Sequence, residues 1–171
     1  MAVCIDFNVL REQRHLELEV VFTEDYAKAC EIVLPFVLRN SPIYKLVFDL
    51  AGDVLVLKVS IEANLSKGCD LCLEDADVKM LADSEYVFSL GNIMDDEDII
   101  FVPANVVNYD FAPLLLECLL YNLPIRVVCR PDCKGLCSGC GVNLNRTECD
   151  CLPLGDLRWS KLHEYKVKLD K

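Results

Sequence analysis

The chain has 171 residues, of which 53% are hydrophobic and 26% charged, and its formal net charge is −11 at pH 7. This length and apolar content predict one globular domain with a small appendage. No stretch reaches the roughly 18–20 uninterrupted apolar residues of a membrane-spanning helix, and the negative charge disfavours long-range attraction to nucleic acid or anionic membranes. The first residues lack a basic region followed by an apolar one, which predicts a cytoplasmic location.

The first predicted elements are a strand and a short helix. Residues 16–22 alternate apolar and acidic side chains at period two, as in a half-buried strand. Thr23 is a plausible cap for a helix that runs from Tyr26 to about Leu34. Pro35 would end it, because proline disfavours helical geometry in the residue before it.

The middle of the chain is predicted to form an antiparallel sheet. Residues 46–50 and 54–63 read as a β-hairpin, and 86–90 as a third antiparallel strand. The four consecutive acids at 95–98 predict a solvated loop, and 99–103 a short edge strand.

The clearest predicted helix covers residues 110–122, with Asp110 as its cap and Pro113 in its first turn. It is apolar nearly all round, so we expect it to be buried, and Leu123-Pro124 should end it. A second short helix is compatible with residues 156–168.

These elements predict an α+β fold. The expected organisation is an antiparallel β-sheet body with a buried helix at residues 1–125, followed by a zinc-ribbon-like cysteine tail with a C-terminal helix at 126–171.

The cysteine content points to metal binding. Eleven cysteines cannot all pair, which argues against a secreted disulfide framework. Six of them lie within 23 residues: Cys129, Cys133, Cys137, Cys140, Cys149 and Cys151. The unit Cys137-x-x-Cys140-Gly141 has the form of a zinc knuckle, in which a tight turn brings two thiolates to one side. The cluster therefore predicts a structural metal, Zn²⁺.

Four thiolates complete a tetrahedral zinc site, so the six candidates leave a choice. The favoured ligands are Cys137, Cys140, Cys149 and Cys151. Cys129 and Cys133 remain as alternative ligands, as a pair outside the ligand shell, or as part of a two-metal cluster. The role of the metal would be to replace the core that so short a segment cannot build.

Other cysteines give weaker signals. Cys69-Asp-Leu-Cys72 is a lone C-x-x-C in a β-rich stretch, and the preferred interpretation is a small buried turn rather than a redox motif or half a metal site. Cys4, Cys30 and Cys118 sit singly in apolar surroundings and are expected to be small core residues.

Catalysis finds little support in the sequence. An open catalytic metal position typically uses histidine or a carboxylate with a bound water, and neither His15 nor His163 lies in a ligand motif. No G-x-S-x-G, Walker loop or G-x-G-x-x-G is present. The prediction is a protein that is not an enzyme and has no small-molecule substrate.

The tail also offers a candidate contact surface. Residues 126–171 hold nine lysines or arginines against six acids, so the tail is mildly basic and the rest strongly acidic. Trp159, beside Arg158 and Lys161, could stack on a base or anchor a partner, although such a tryptophan more often packs against its own domain.

Several motifs follow one another toward the end of the chain: Leu123-Pro-Ile125, Cys129, Cys133-Lys-Gly-Leu-Cys137, Cys140-Gly-Val-Asn-Leu-Asn145, Cys149-Asp-Cys151 and Asp156-Leu-Arg-Trp159-x-x-Leu162. In this order they resemble the YceD family of large-ribosomal-RNA-subunit accumulation proteins. The earlier Cys69-x-x-Cys72-Leu73 is similar to a turn of that family, with Leu71 in place of the usual arginine. In the last of the tail motifs, Leu157 stands in place of a frequent proline.

The resemblance implies a bacterial or plastid-type factor needed for normal accumulation of 23S rRNA, acting on ribosomal RNA or on large-subunit assembly proteins, directly or indirectly. The competing hypothesis is a thiol-based redox or metal sensor, in which oxidation of Cys129 and Cys133 or loss of zinc changes a partner interaction.

Overall fold

The computed structural model describes residues 3–22, 34–91 and 96–151. The helices in these ranges are α1 (Phe7–Gln13) and α2 (Ala112–Tyr121). The strands are β1 (Cys4–Asp6), β2 (His15–Val21), β3 (Val37–Leu38), β4 (Ile43–Ala51), β5 (Val54–Gly68), β6 (Asp75–Leu90), β7 (Ile99–Val102) and β8 (Asn108–Asp110). None of the helices in this part of the chain has the length and apolar character needed to cross a membrane.

The main sheet is mixed and has six strands. Its order is β2-β4-β5-β6-β7, and β3 pairs with β5 off this path. The β2–β4, β3–β5 and β4–β5 pairs are antiparallel, whereas β6 and β7 are parallel. β1 and β8 form a separate antiparallel pair.

The period-two pattern of β4 explains how the sheet builds its core. Tyr44, Leu46, Phe48 and Leu50 alternate along β4 and are all buried. The apolar face of α2 packs into the same core, where Leu115 is fully buried. The Tyr44 hydroxyl donates a hydrogen bond to the Leu115 carbonyl at 3.1 Å, so this buried polar group is satisfied.

An aromatic cluster surrounds the start of α2. The ring of Phe111 lies edge-on to those of Phe48 and Phe88, with centroids 5.1 and 5.6 Å apart, and 4.8 Å from the ring of Tyr109. Such edge-to-face pairs add to the stabilisation from burial alone. The Asp110 carboxylate accepts hydrogen bonds from the backbone N–H groups of Ala112 and Val3, both at 2.9 Å.

Several predicted elements are confirmed. The hairpin of residues 46–50 and 54–63 is β4–β5, and the strands predicted near 16–22, 86–90 and 99–103 are β2, β6 and β7. The buried helix predicted at 110–122 is α2.

The structure also differs from the sequence prediction in local details. The Asp110 carboxylate accepts a hydrogen bond from the Ala112 N–H at the start of α2, as a capping residue would. The N-cap position itself is occupied by Phe111. Cys118 is buried as expected, whereas Cys4 is exposed, because it lies on the opposite face of β1 from the buried Ile5. The helix expected from Tyr26 falls mainly on residues 23–33, outside the described ranges, as do Cys30 and the helix expected at 156–168.

Contacts between residues divide the chain into two compact units. The first unit consists of residues up to 67 together with 76–127. The second consists of residues 68–75, the turn between β5 and β6, together with the segment from 128 onward. The second unit is therefore discontinuous in sequence and includes Cys69 and Cys72.

His15 provides a pH-dependent contact in the first unit. Its Nδ1 lies 2.7 Å from Asp49 Oδ1, its partner across the β2–β4 pair, and its Nε2 lies 3.3 Å from Glu17 Oε1. Hydrogen bonds to Asp49 and then to Glu17 raise the pKa of His15 above its ordinary value of 6.5. Because the folded state binds the proton more tightly, this contact stabilises it fully at low pH and loses its effect as pH rises through the raised pKa.

We therefore expect His15→Gln to lower the midpoint of urea unfolding more at about pH 6 than at about pH 9. The effect should be small, because both partners are exposed. Asp49→Asn is the matched control and should remove most of the same pH-dependent difference. Equal losses at both pH values would contradict the assignment.

Candidate metal centres

Eight cysteines of the second unit gather into two groups of four. We call the first group, Cys69, Cys72, Cys129 and Cys133, cluster A, and the second group, Cys137, Cys140, Cys149 and Cys151, cluster B. Within each group, all four sulfurs lie within 4.8 Å of one another. Each group therefore offers four thiol ligands converging on one point, as a tetrahedral metal ion requires.

Cluster B is built around a tight turn. The Cys137 N–H donates to the Val142 carbonyl at 2.8 Å, and the Gly141 N–H donates back to the Cys137 carbonyl at 2.9 Å. Gly141 has a φ of 75°, a conformation that an L side chain rarely adopts. An isolated antiparallel bridge between Leu136 and Asn143 closes the base of the turn. The turn thus presents the first and fourth residues of Cys137-x-x-Cys140 on one side.

Cluster A draws its ligands from two separate turns. The first is the β5–β6 turn, in which the Cys69 N–H donates to the Glu74 carbonyl at 2.7 Å and the Leu73 N–H donates to the Cys69 carbonyl at 2.9 Å. The second turn lies in the tail, where the Cys133 N–H donates to the Arg130 carbonyl at 3.1 Å. Ligands 57 and 64 residues apart in sequence are thereby brought together.

Backbone contacts also join these two parts of the second unit. The Leu136 N–H donates to the Leu71 carbonyl at 3.0 Å. Gly135 has a φ of 73°, and a Cβ at this position would lie 3.1 Å from the same carbonyl oxygen. Glycine is therefore required here for two reasons, a left-handed backbone and a close approach to Leu71.

The sulfur separations in cluster A fit ligation better than disulfide bonding. The Sγ atoms of Cys69 and Cys133 lie 3.9 Å apart, and those of Cys72 and Cys129 lie 3.6 Å apart. A disulfide needs about 2.05 Å between sulfurs. Four thiolates at about 2.3 Å from a zinc-sized ion in a tetrahedron would be about 3.8 Å apart.

One sulfur in each cluster is surrounded by N–H donors. Burial alone would raise the pKa of Cys69, but the backbone N–H groups of Cys129, Cys72 and Leu71 lower it to about 6. In cluster B, the backbone N–H groups of Cys140 and Gly139 lower the pKa of Cys137 to about 6. The lowered pKa of each sulfur favours the thiolate, which is the form that binds metals.

The neighbouring thiols resist a second negative charge in the absence of a cation. Burial, followed by the neighbouring thiols of Cys72 and Cys133, raises the pKa of Cys129 to about 12. The thiols of Cys140 and Cys137 raise the pKa of Cys151 to about 12. Like charges so close together disfavour each other, and a bound divalent cation reverses this effect.

The two clusters differ in burial. Cys69 and Cys72 are 0% and 3% exposed, and Cys129 and Cys133 are partly buried. In cluster B, by contrast, Cys140 and Cys151 are exposed. Solvent and small reagents therefore have a more direct route to the sulfurs of cluster B.

The structure places the sequence candidates as follows. It brings together the four favoured cysteines of the tail as cluster B, and it places Cys129 and Cys133 beside Cys69 and Cys72. The interpretation of Cys69-x-x-Cys72 as a buried turn described its burial but missed these partners. The C-x-x-C spacing that 69–72 shares with 137–140 indicates a possible ligand pair, but it does not identify Cys129 and Cys133 as the partners of Cys69 and Cys72. Arg158, Trp159 and Lys161 lie outside the described residues.

The fold and these thiol groups define a mixed-sheet protein with two helices in its described part and two cysteine clusters that could hold metal ions. Within that class, the chain belongs to the family described as large ribosomal RNA subunit accumulation protein YceD, which matches residues 57–166. The match extends from β5 through both clusters.

Two curated plant proteins are similar to this chain. The chloroplastic large ribosomal RNA subunit accumulation protein YCED homolog 1 of Arabidopsis thaliana is 34% identical over 74 residues, which cover 38% of this chain and 23% of that protein. The protein of the same name from Zea mays is 36% identical over 61 residues, covering 35% and 21%. The chain thus spans under a quarter of the length of these relatives. No solved structure matches it.

Gly135 lies where the two parts of the second unit meet, and Gly141 provides a matched comparison for it. Gly135→Ala should destabilise this unit more than Gly141→Ala, because both have a positive φ but only the Cβ at 135 would meet Leu71. The φ penalty alone is about 1–2 kcal/mol. Tryptic cleavage after Lys134 and Arg146 during a temperature ramp measures the difference. Equal cleavage temperatures would contradict the role of the close approach.

Proposed function

We propose that this protein is a non-catalytic ribosome-biogenesis factor that supports accumulation of 23S rRNA, with a structural Zn²⁺ held by cluster B. The observation that carries this proposal is membership of the YceD family over residues 57–166. Both plant relatives have names that refer to accumulation of the large ribosomal RNA subunit. We propose the cytoplasm as the compartment, although those two relatives are named as chloroplastic proteins.

Ligand chemistry supports a structural rather than a catalytic metal. Cluster B supplies four thiols and neither histidine nor carboxylate, and a closed four-thiolate shell is typical of structural zinc. In the described part of unit two, residues 68–75 and 128–151, the only buried residues are Cys69, Cys72 and Gly135. A segment with so few buried side chains gains its stability from ligation.

The charge distribution supports action through a limited contact surface. A net charge of −11 would repel the RNA backbone at long range, so a general RNA-coating role is disfavoured. Arg158, Trp159 and Lys161 combine two cations with an aromatic ring that can stack on a base or anchor a protein partner. We propose them as the contact with ribosomal RNA or with a large-subunit assembly protein.

The test of the function is genetic. Deletion of the gene in its own organism should lower the ratio of 23S to 16S rRNA, and the wild-type chain should restore it. Cys137→Ser/Cys140→Ser should fail to restore the ratio, because cluster B can no longer hold the metal that the proposal requires. Cys4→Ser is the matched control, since Cys4 is exposed and lies outside both clusters. An unchanged ratio in the deletion strain would overturn the proposal.

A separate prediction concerns the contact surface. Arg158→Ala/Trp159→Ala should retain the metal content and thermal stability of the wild-type chain while failing to restore the 23S to 16S ratio. Lys171→Ala, which also removes a tail cation, should restore it. If the double variant loses metal or stability, these residues pack within the protein instead.

The alternative function is a thiol-based redox or metal sensor acting through a protein partner. The exposure of Cys140 and Cys151 is the observation that favours it, because reagents can reach these sulfurs. This hypothesis requires a reversible disulfide and metal release under mild oxidant. Mass spectrometric mapping of thiols from cells with and without brief peroxide treatment distinguishes the two functions.

A further inference from the structure

Cluster A is not needed for the metal site proposed above, yet its geometry is that of a ligand shell. Its four sulfurs converge within 4.8 Å, and the two measured separations, 3.9 and 3.6 Å, lie close to a tetrahedral edge. We propose that cluster A is a second, independent metal centre for a thiophilic divalent ion such as Zn²⁺, and that it exchanges its metal more slowly than cluster B.

The hydrogen bonds around cluster A match those of a ligated thiolate. Cys69 Sγ accepts the backbone N–H groups of Leu71 at 3.5 Å and Cys129 at 3.3 Å. These donors offset part of the charge of about −2 that a divalent ion with four thiolates carries. A neutral buried thiol would gain little from two such donors, because sulfur accepts strongly only when ionised.

Asn145 supports the other side of cluster A. Its Nδ2 donates to Cys133 Sγ at 3.3 Å, and its Oδ1 accepts the Lys134 N–H at 2.8 Å and an Arg130 N–H at 2.9 Å. The guanidinium of Arg130 thereby polarises the amide that faces the sulfur. Side chains that orient ligands in this way are a regular part of metal sites, and their loss weakens binding about 10–100-fold.

The arrangement of the second unit explains why cluster A would exchange its metal slowly. The Leu136 N–H···O bond to Leu71 holds the β5–β6 turn against the tail, so the ligand pairs are already in place. Release of the ion would leave Cys69 and Cys72 as buried, crowded thiols. Cluster B has exposed sulfurs in Cys140 and Cys151, which gives a chelator direct access. Cluster A should therefore lose its metal last.

Native mass spectrometry of the full chain, loaded with zinc and freed of excess, tests the stoichiometry. We expect two zinc ions for the wild type and one each for Cys69→Ser/Cys72→Ser and Cys137→Ser/Cys140→Ser. During a chelator time course, the single zinc of the second variant should dissociate at least about 10-fold more slowly than that of the first, because burial controls access to the site. One zinc per wild-type chain, or the reverse order of release, would overturn the proposal.

Two further measurements keep the test decisive if Cys69→Ser/Cys72→Ser fails to fold. Asn145→Asp retains acceptors for Lys134 and Arg130 but faces Cys133 Sγ with a negative charge, so it should speed zinc release from cluster A alone. In the wild type, alkylation of Cys69, Cys72, Cys129 and Cys133 should require chelator. Alkylation without chelator, or disulfides among these four, would contradict the centre. Neither outcome depends on the role in 23S rRNA accumulation.

Discussion

The described part of the second unit, residues 68–75 and 128–151, has almost no hydrophobic core, and this constraint governs how that part is built. Its described residues bury two thiols and one glycine, whereas the first unit buries a continuous cluster of aromatic and aliphatic side chains. A segment that removes so little apolar surface from water cannot offset its own conformational entropy. Converging thiols, the close approach of Gly135 to Leu71 and short hydrogen-bonded turns take the place of a core.

The first unit is instead stabilised by a hydrophobic core. Period-two alternation in β4 and an apolar α2 supply a core in which even the buried Tyr44 hydroxyl finds an acceptor. Stability there rests on packing and should be insensitive to metal. On the proposed metal binding, the two units should respond to different stresses: the first to cavities and unsatisfied polar groups, the second to chelation, oxidation and backbone substitutions at its turns.

Local sequence patterns were sufficient to predict the elements whose contacts lie close together along the chain. The β4–β5 hairpin follows from alternation around a short turn, and α2 follows from an apolar run with Pro113 in its first turn. The contacts of Cys69 and Cys72 were not predictable in this way, because their partners lie 57 to 64 residues further along. α1 was missed since only seven residues form it, too few for a helical period to stand out. The parallel pairing of β7 with β6 was not predicted either, because the direction of a strand relative to its neighbour leaves no local signal in the sequence.

The separation in sequence between the two halves of cluster A also imposes an order on synthesis. Cys69 and Cys72 leave the ribosome well before Cys129 and Cys133, and at about 5–20 residues per second the gap amounts to several seconds. During this interval the β5–β6 turn carries two unpartnered thiols on a nascent chain. The thiols of cluster B, at 137–151, emerge within a single short stretch. Nascent chains from which Cys72 but not Cys129 has emerged would therefore present half of the cluster, open to oxidation.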